Sequence, residues 1–532
     1  MDSNERKLQS ESFYGAHGSR PITLTPDEPK IQQKRRRLKL ADGEGKRTVD
    51  ITDTLLLVSK KMRLHPMFAQ QENLRISAGF TYIGQFIAHD ITYHRNTTGF
   101  NIPRLRLDVM YGGGPAIHAF LFNHYGDDIG YESKKYPKEY WDAFRRTMFR
   151  MKRYGNLYDV IRLKRKVPII ADVRNDQNFI TSQLHVAFMR FHNAMVKYYH
   201  GLDVSLTSDA LFEKTKKSVI NHYQWMVIHQ YLKQIVYDPE LIDRLLNKDN
   251  KAFLLYNPTT VPALMEEFFA AAFRVGHSQV LNSYSINDAL ALKIFDYKNR
   301  HPQREEDLTD LRGFTERQKT CLDWSKFFFW YKQGLDDKQT AVTMAGKYDL
   351  QIADALGALI FRKYDNNSLI EANLKRFPRE RFSAHDHATA MYSRLPNYAN
   401  RMISPEDVLH TVDSLICNGS PKLTPEQRKT LTPENLPLWL YLLIESSVLE
   451  NGDRLGPLGS HIVAEQMIWT LKRDENSCIN IEKGKWQPES IFEKMQLELN
   501  PLPDQGLPDG IWNAQNNKFS MQHLFKFLEE SE

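Results

Sequence analysis

Two histidines and an arginine, each set in a short polar run, are the residues of this chain best equipped for chemistry. Gln85-Phe86-Ile87-Ala88-His89-Asp90 carries the first imidazole, Phe273-Arg274-Val275-Gly276-His277-Ser278 the second, and Asp172-Val173-Arg174-Asn175-Asp176-Gln177 the guanidinium. A neutral imidazole near pH 7 can take the proton from a bound peroxide oxygen and return it to the leaving one. Negative charge gathers on that leaving oxygen, and a fixed guanidinium in a dry pocket stabilises it better than water that must first reorganise. His89 and Arg174 are the candidates for these two tasks. His277 is the candidate for ligating iron through one ring nitrogen while the other donates to an acceptor, which makes the ligand more basic.

These groups need rigid elements to hold them. On a helix, Gln85 and His89 are one turn apart and share a face, placing an amide and an imidazole side by side over a cavity while Ile83 and Phe86 point to neighbouring helices. Arg174 precedes a long expected helix over 178–200, with Asn175 or Asp176 as its N-cap. Ile180, Leu184, Phe188, Phe191 and Met195 recur at three or four residues, as one buried stripe requires. Leu264, Phe268, Ala272 and Val275 follow the same rule, as do Val463, Met467 and Leu471. Alternating strands are scarce, and Pro and Gly fall between the periodic stretches, so the expected fold is mainly α-helical.

No fixed-period repeat or long Gly/Ser linker divides the chain. The expected organisation is an N-terminal arm or tail over 1–50, a main domain over 51–475, and an extension over 476–532 that packs on it and ends in a short helix near Phe519 to Leu528. The 532 residues, 41% hydrophobic and 11% aromatic, suffice for a large core. A net charge of +6, from 71 basic and 65 acidic residues, is too small a surplus to argue for nucleic acid. Cys321, Cys417 and Cys478 lack the spacing of a zinc site or disulfide framework, which fits buried thiols in a reducing compartment. Met1-Asp2-Ser3-Asn4-Glu5-Arg6 shows no leader pattern, and no uncharged run approaches the roughly 20 residues that span a bilayer. The expectation is a soluble, cytoplasmic protein, with export by a route lacking a cleaved leader left open and the oligomeric state unassigned.

The same residues carry a family resemblance. Gly84-Gln85-Phe86 through His89-Asp90, Tyr111-Gly112-Gly113-Gly114-Pro115, Arg174-Asn175-Asp176, Phe191-His192-Asn193, His222-Tyr223-Gln224-Trp225, Arg274 through His277, and Arg454-Leu455-Gly456-Pro457 through Ala464-Glu465 occur in order. In this the chain resembles the animal-type heme peroxidases of the peroxidase-cyclooxygenase superfamily, bacterial members more than secreted mammalian ones. The resemblance implies a large single-domain helical fold with heme between two central helices, hydrogen peroxide as substrate and a small-molecule electron donor. It also implies that His89 is the distal histidine, Gln85 its neighbour near the peroxide or halide, Arg174 the distal arginine, His277 the proximal iron ligand, and Arg274 a partner of a heme propionate.

Several positions depart from the family. Relatives with ester-linked heme carry an aspartate just before the distal histidine and a glutamate three residues after the distal arginine; here these are Ala88 and Gln177, which cannot form esters, so non-covalent heme b is expected. A milder oxidant follows, suited to small organic donors, bromide or iodide instead of chloride. The family's calcium site uses the position of Asp90 together with a loop carboxylate that falls here on Arg106, near Asp108, so the expectation is that Arg106 replaces calcium by pairing with Asp90. Asn373, His385 and Asn400 are all candidates for the acceptor of His277. Lipid oxygenases of the superfamily place a tyrosine where this chain has Arg274. A low-turnover heme-binding protein and an oxygenase of lipid or a secondary metabolite remain as alternatives.

Other notable residues have plainer readings. His185 and His192 are expected to cap or bridge within the core. Gly112-Gly113-Gly114 reads as a structural turn, because no Lys-Ser or Lys-Thr follows it. Phe327-Phe328-Phe329-Trp330 reads as core, and Lys34-Arg35-Arg36-Arg37 as a solvated cluster.

Overall fold

The computed structural model describes residues 52–64, 69–93, 103–123, 143–144, 146–154, 157–163, 167–294, 310–311, 321–328, 342–357, 388–389, 391, 393–394, 402–415, 422–495 and 518–531. The arm over 1–50 with its basic cluster, Cys417, Phe329, Trp330 and the three candidate acceptors Asn373, His385 and Asn400 lie outside them.

The fold is mainly helical, as its periodic stretches predict. We label the principal helices α1 (Thr52–Met62), α2 (Ala78–Ile91), α3 (Phe179–Leu202), α4 (Ser208–Met226), α5 (Leu438–Glu450), α6 (Pro457–Lys472) and α7 (Met521–Glu530). The described strands form three two-stranded ladders: Glu72–Ser77 with Met344–Gly346, Met151–Tyr154 with Leu157–Val160, and Ser283–Ser285 with Ala291–Lys293. Among the described residues no helix is long and apolar enough to cross a membrane.

The stripe of α3 is buried along its length, from Ile180 to Met195. Phe86 of α2 stacks on Phe188 of α3 at 5.2 Å and meets Tyr223 of α4 edge-on at 6.3 Å, so one ring fastens three helices at the core. Burying a phenyl ring here is worth several kcal/mol, roughly the 3–5 lost when such a ring is truncated to alanine. The hydrogen-bonding pattern of α4 widens into a π-turn over Val227–Leu232, which brings Tyr231 toward the same centre.

Helices α5 and α6 are buried nearly all round, and two fully buried glutamates join them to their surroundings. Glu445 accepts from the backbone N–H groups of Leu458 and Gly459, filling the N-terminus of α6 with negative charge where the helix dipole favours it. A side chain at Gly456 would collide with Glu445, so this contact requires a glycine. Glu465 accepts from the N–H groups of Leu254, Leu255 and Tyr256 and pairs with His461 Nδ1 at 2.8 Å.

The terminal helix falls close to its expected place. α7 begins after the N-cap Ser520; Phe519 lies 5.5 Å from Phe191, and Gln230 bonds both Gln522 and the Met521 N–H. Gly112 and Gly114 take positive φ in a turn, and Phe327 and Phe328 are core, as read.

Two local expectations are corrected. The N-cap of α3 is Asn178, whose side chain accepts from Thr181 N at 2.9 Å, instead of Asn175 or Asp176. Those two belong to a separate 3-10 turn, Val173–Asp176, capped by Asp172. The Leu264–Val275 stripe is also no single helix: Glu266–Ala270 is α, Ala272–Gln279 is 3-10, and Ala271 breaks them at φ −126°, ψ −72°. At three residues per turn, positions 274 and 277 eclipse, which puts Arg274 and His277 on one face.

Candidate active site

That face looks across a cavity at α2. Gln85, Ala88 and Thr92 line one side, Arg274, Gly276 and His277 the other. Aromatic walls come from Tyr231, Phe268, Phe269, Phe273 and Tyr348, and Gln177 closes the edge near Arg174. The cavity is partly open to the surface, and the empty space counted out to its mouth is about 980 Å³. A Cβ built on Gly276 would meet nothing within 4 Å, so the glycine next to His277 borders open space.

Five of the sequence-predicted residues therefore meet at one cavity: Gln85, Ala88, Gln177, Arg274 and His277. His89 and Arg174 are not among the lining residues and lie just behind them. From α2 the lining residues are Thr81, Tyr82, Gly84, Gln85 and Ala88, with the C-cap Thr92, and the His89 imidazole is fully buried with its Nδ1 toward Asn175 of the Val173–Asp176 turn.

There Asn175 orders two rings. His89 Nδ1 lies 2.7 Å from Asn175 Oδ1, and Asn175 Nδ2 lies 3.0 Å from His185 Nδ1. An amide oxygen only accepts and an amide nitrogen only donates, so His89 carries its proton on Nδ1 and its lone pair on Nε2. Burial, then the Arg174 charge, lowers the pKa of His89 to about 4, and burial lowers that of His185 to about 4, so both rings are neutral at pH 7. His192 bridges Tyr111 and the Thr147 carbonyl, in keeping with its structural reading.

Arg174 sits beside His89 but bonds its backbone. Its Nη2 donates to the His89 carbonyl at 2.8 Å, Nη1 to Thr92 Oγ1 at 2.9 Å, and the fork to Asp172, with Nη2 to Oδ2 at 2.6 Å. The guanidinium is thus fixed, as expected, yet largely committed to Asp172, and Thr92 is the member of this group that reaches the cavity. Asp176, on the same turn, accepts both Nη groups of Arg162 at 2.7 Å and Ser182 Oγ at 3.0 Å, which anchors the turn to the Leu157–Val160 strand end and to α3. Sequence reasoning missed Asp172, Arg162, Asn178 and Thr181; for Asn178 the available signal was an Asn just before the α3 stripe, three residues ahead of a Thr.

On the opposite side Arg274 is buried, its Nε donating to the Phe269 carbonyl at 3.2 Å, while His277 is half-buried at the cavity wall. The expected ion pair between Arg106 and Asp90 is not formed. Arg106 instead forks onto Asp474, Nε to Oδ2 at 2.6 Å, and Asp90 accepts the N–H groups of Leu107 at 3.0 Å and Val109 at 3.5 Å. Asp90 is fully enclosed, and burial with the nearby Asp108 pushes its pKa up to about 8. Backbone amides are the groups bonded to this carboxyl, whereas Arg106 reaches a carboxylate that lies 368 residues away in sequence. Among the described residues no group of three or more His, Cys, Asp or Glu side chains is arranged to hold a metal ion.

The ligand chemistry of this cavity suits a heme: one imidazole and one guanidinium on a wall, aromatic sides, and a glycine that leaves room beside the imidazole. Comparison with known proteins agrees. Residues 150–315, which include Arg174 and His277, match the model described as "Animal haem peroxidase". The chain is 24% identical over 300 residues to the chorion peroxidase of Drosophila melanogaster, a match covering 56% of this chain and only 32% of that protein's length. Its fold resembles peroxidase A from Dictyostelium discoideum, with TM-score 0.51 and 13% identity over 89% of this chain and 92% of the other. It also resembles a fatty acid alpha-dioxygenase from Arabidopsis thaliana, with TM-score 0.50 and 14% identity over 86% and 80%. At such identities the two structures speak for the fold alone, and none of the three relatives supports the expected likeness to bacterial members. The matched segment, the curated relative and the shared helical fold point the same way: over residues 150–315 the chain is similar to the animal haem peroxidases, and its fold is of their kind.

Proposed function

We propose that this chain is a heme-dependent peroxidase that reduces hydrogen peroxide with electrons from a small-molecule donor. The observation that carries the reading is the cavity lined by Gln85 and Ala88 of α2 and by its C-cap Thr92 together with Arg274, Gly276 and His277. His277 is the iron ligand and Arg274 the partner of a propionate. Ala88 and Gln177 both line the cavity with groups that cannot form esters, which supports non-covalent heme b. When bound, the heme supplies a redox-active iron through which peroxide and donor exchange electrons.

The chain's own residues supply proton handling and position. His89, neutral and protonated on Nδ1 toward Asn175, presents the Nε2 lone pair of a base. Arg174 holds the His89 carbonyl and Thr92, so it fixes the end of α2 as well as placing positive charge near the base. Organic donors, bromide or iodide are the proposed reductants.

The test is to load the protein with heme, add peroxide, and follow the visible spectrum and the oxidation of a phenol. His89→Ala is expected to slow the peroxide reaction by roughly a hundredfold or more, the usual cost of losing acid-base help. Equal rates in variant and parent would remove His89 from the mechanism. A second reading, a heme-binding protein of low turnover, draws on the commitment of Arg174 to Asp172 and the placement of His89 outside the cavity lining; a Soret band without phenol oxidation is its signature. Arg274 stands where a lipid oxygenase needs its tyrosine, which disfavours the oxygenase reading.

A further inference from the structure

Gln85 lines the cavity from the middle of α2, and which end of its side-chain amide faces inward decides what this wall attracts. Oxygen and nitrogen of an amide are nearly the same size, so only hydrogen-bond partners choose between the two orientations. The choice here is made by the start of α3. Asn178 must offer its Oδ1 to Thr181 N, at 2.9 Å, because a helix N-terminus has N–H groups to satisfy and only an acceptor can do so. Its Nδ2 is thereby turned the other way, where it donates to Gln85 Oε1 at 3.1 Å. Thr181 Oγ1 donates to the same oxygen at 2.9 Å. A hydroxyl can donate or accept, so Thr181 follows; Asn178, whose orientation the cap has set, decides. Both are essentially fully buried, away from water that could substitute for either bond.

With its oxygen held by α3, Gln85 keeps Nε2 for the cavity it lines, and among the described residues no protein acceptor is bonded to that nitrogen. We propose that Asn178 and Thr181 are positioning residues that lock the Gln85 amide with its N–H groups toward the cavity, making this wall a hydrogen-bond donor to an oxygen or anionic ligand. The inference rests on the heme reading of the same cavity. It links the capping of a helix to the polarity of the site, because a residue chosen for one task enforces the other.

Asn178→Asp separates the two tasks. The carboxylate still caps α3, where negative charge is favoured, but offers Gln85 an acceptor in place of a donor. Gln85 then turns its N–H groups to the introduced carboxylate and its oxygen to the cavity. In heme-loaded protein at pH 8, fluoride affinity of the ferric form is expected to fall at least about tenfold, the scale of a lost hydrogen bond to a charged ligand. The C–O stretch of the ferrous carbon monoxide complex should rise, since a lone pair replaces a donor beside the ligand oxygen. Thr181→Val alone should move both readouts far less. Should Asn178→Asp fail to fold, the Asn178→Ser, Thr181→Val double variant keeps the cap and withdraws both donors, and a fall in fluoride affinity is again expected. A folded variant with a normal Soret band and unchanged fluoride affinity and C–O stretch overturns the inference. A parent protein that takes up no heme overturns instead the reading on which it rests.

Discussion

Asn175→Asp tests the arrangement around His89 most directly. In the parent, Asn175 Oδ1 accepts from His89 Nδ1 at 2.7 Å, and burial together with Arg174 keeps the imidazole at about 4. Replacing the amide by a carboxylate of the same shape puts a negative charge against that nitrogen, and an opposite charge at such range favours the protonated ring by about 1–3 pKa units. The pKa of His89 should therefore rise to between roughly 5 and 7. A protonated ring cannot accept the peroxide proton, so the rate constant for peroxide reaction should be lost as pH falls through this raised value, where the parent stays active until pH approaches 4. The substitution also withdraws the N–H that Asn175 donates to His185. His185 can move its own proton to Nδ1 and bond the new carboxylate, so the stability lost should stay within the about 1–3 kcal/mol of one unsatisfied buried group. The assay is a stopped-flow pH profile of the spectral change on mixing heme-loaded protein with peroxide. A variant profile superimposable on the parent's would refute the claim that Asn175 sets the charge state of the base.

Two further outcomes follow from the same geometry. Gly276 borders open space, so Gly276→Leu should abolish heme uptake, read from the Soret band, while leaving the unfolding temperature of the heme-free protein close to the parent's; full heme uptake would show that the cavity is not the cofactor slot. Acid should destabilise the fold through its buried histidines. Burial holds His89, His185 and His229 near 4 and His192 and His222 near 3, all below the 6.5 of an exposed ring. Between those values and 6.5 the unfolded chain binds protons that the folded chain refuses, so stability is full above about 6.5 and is lost as pH falls toward 4. The loss runs up to about 1.4 kcal/mol per pH unit for each ring. A urea midpoint that stays flat from pH 7 to 4.5 would contradict this account.

Local pattern was enough for much of the architecture. The stripe from Ile180 to Met195 required a buried helix, and α3 buries it; the same holds for Val463, Met467 and Leu471 in α6. Residue type and spacing named Gln85 and His277, and the family resemblance added Ala88, Gln177 and Arg274; the fold brings all five to one cavity. Spacing failed where two local geometries compete. Leu264 to Val275 suits an α-helical stripe, but the chain closes three-residue turns after Ala271, and that choice aligns Arg274 with His277.

What the sequence determined by itself, then, is which residue types are present and which faces of helices must be covered, because helix period and hydrophobic burial act over a few neighbouring positions. Partnership was decided only by the tertiary structure. Arg106 found Asp474 instead of Asp90, Arg174 found Asp172 and Thr92, and the His89 ring found Asn175 for its Nδ1. A buried charge or amide is satisfied by whichever complementary group packing brings within about 3 Å, and no spacing along one chain specifies that group.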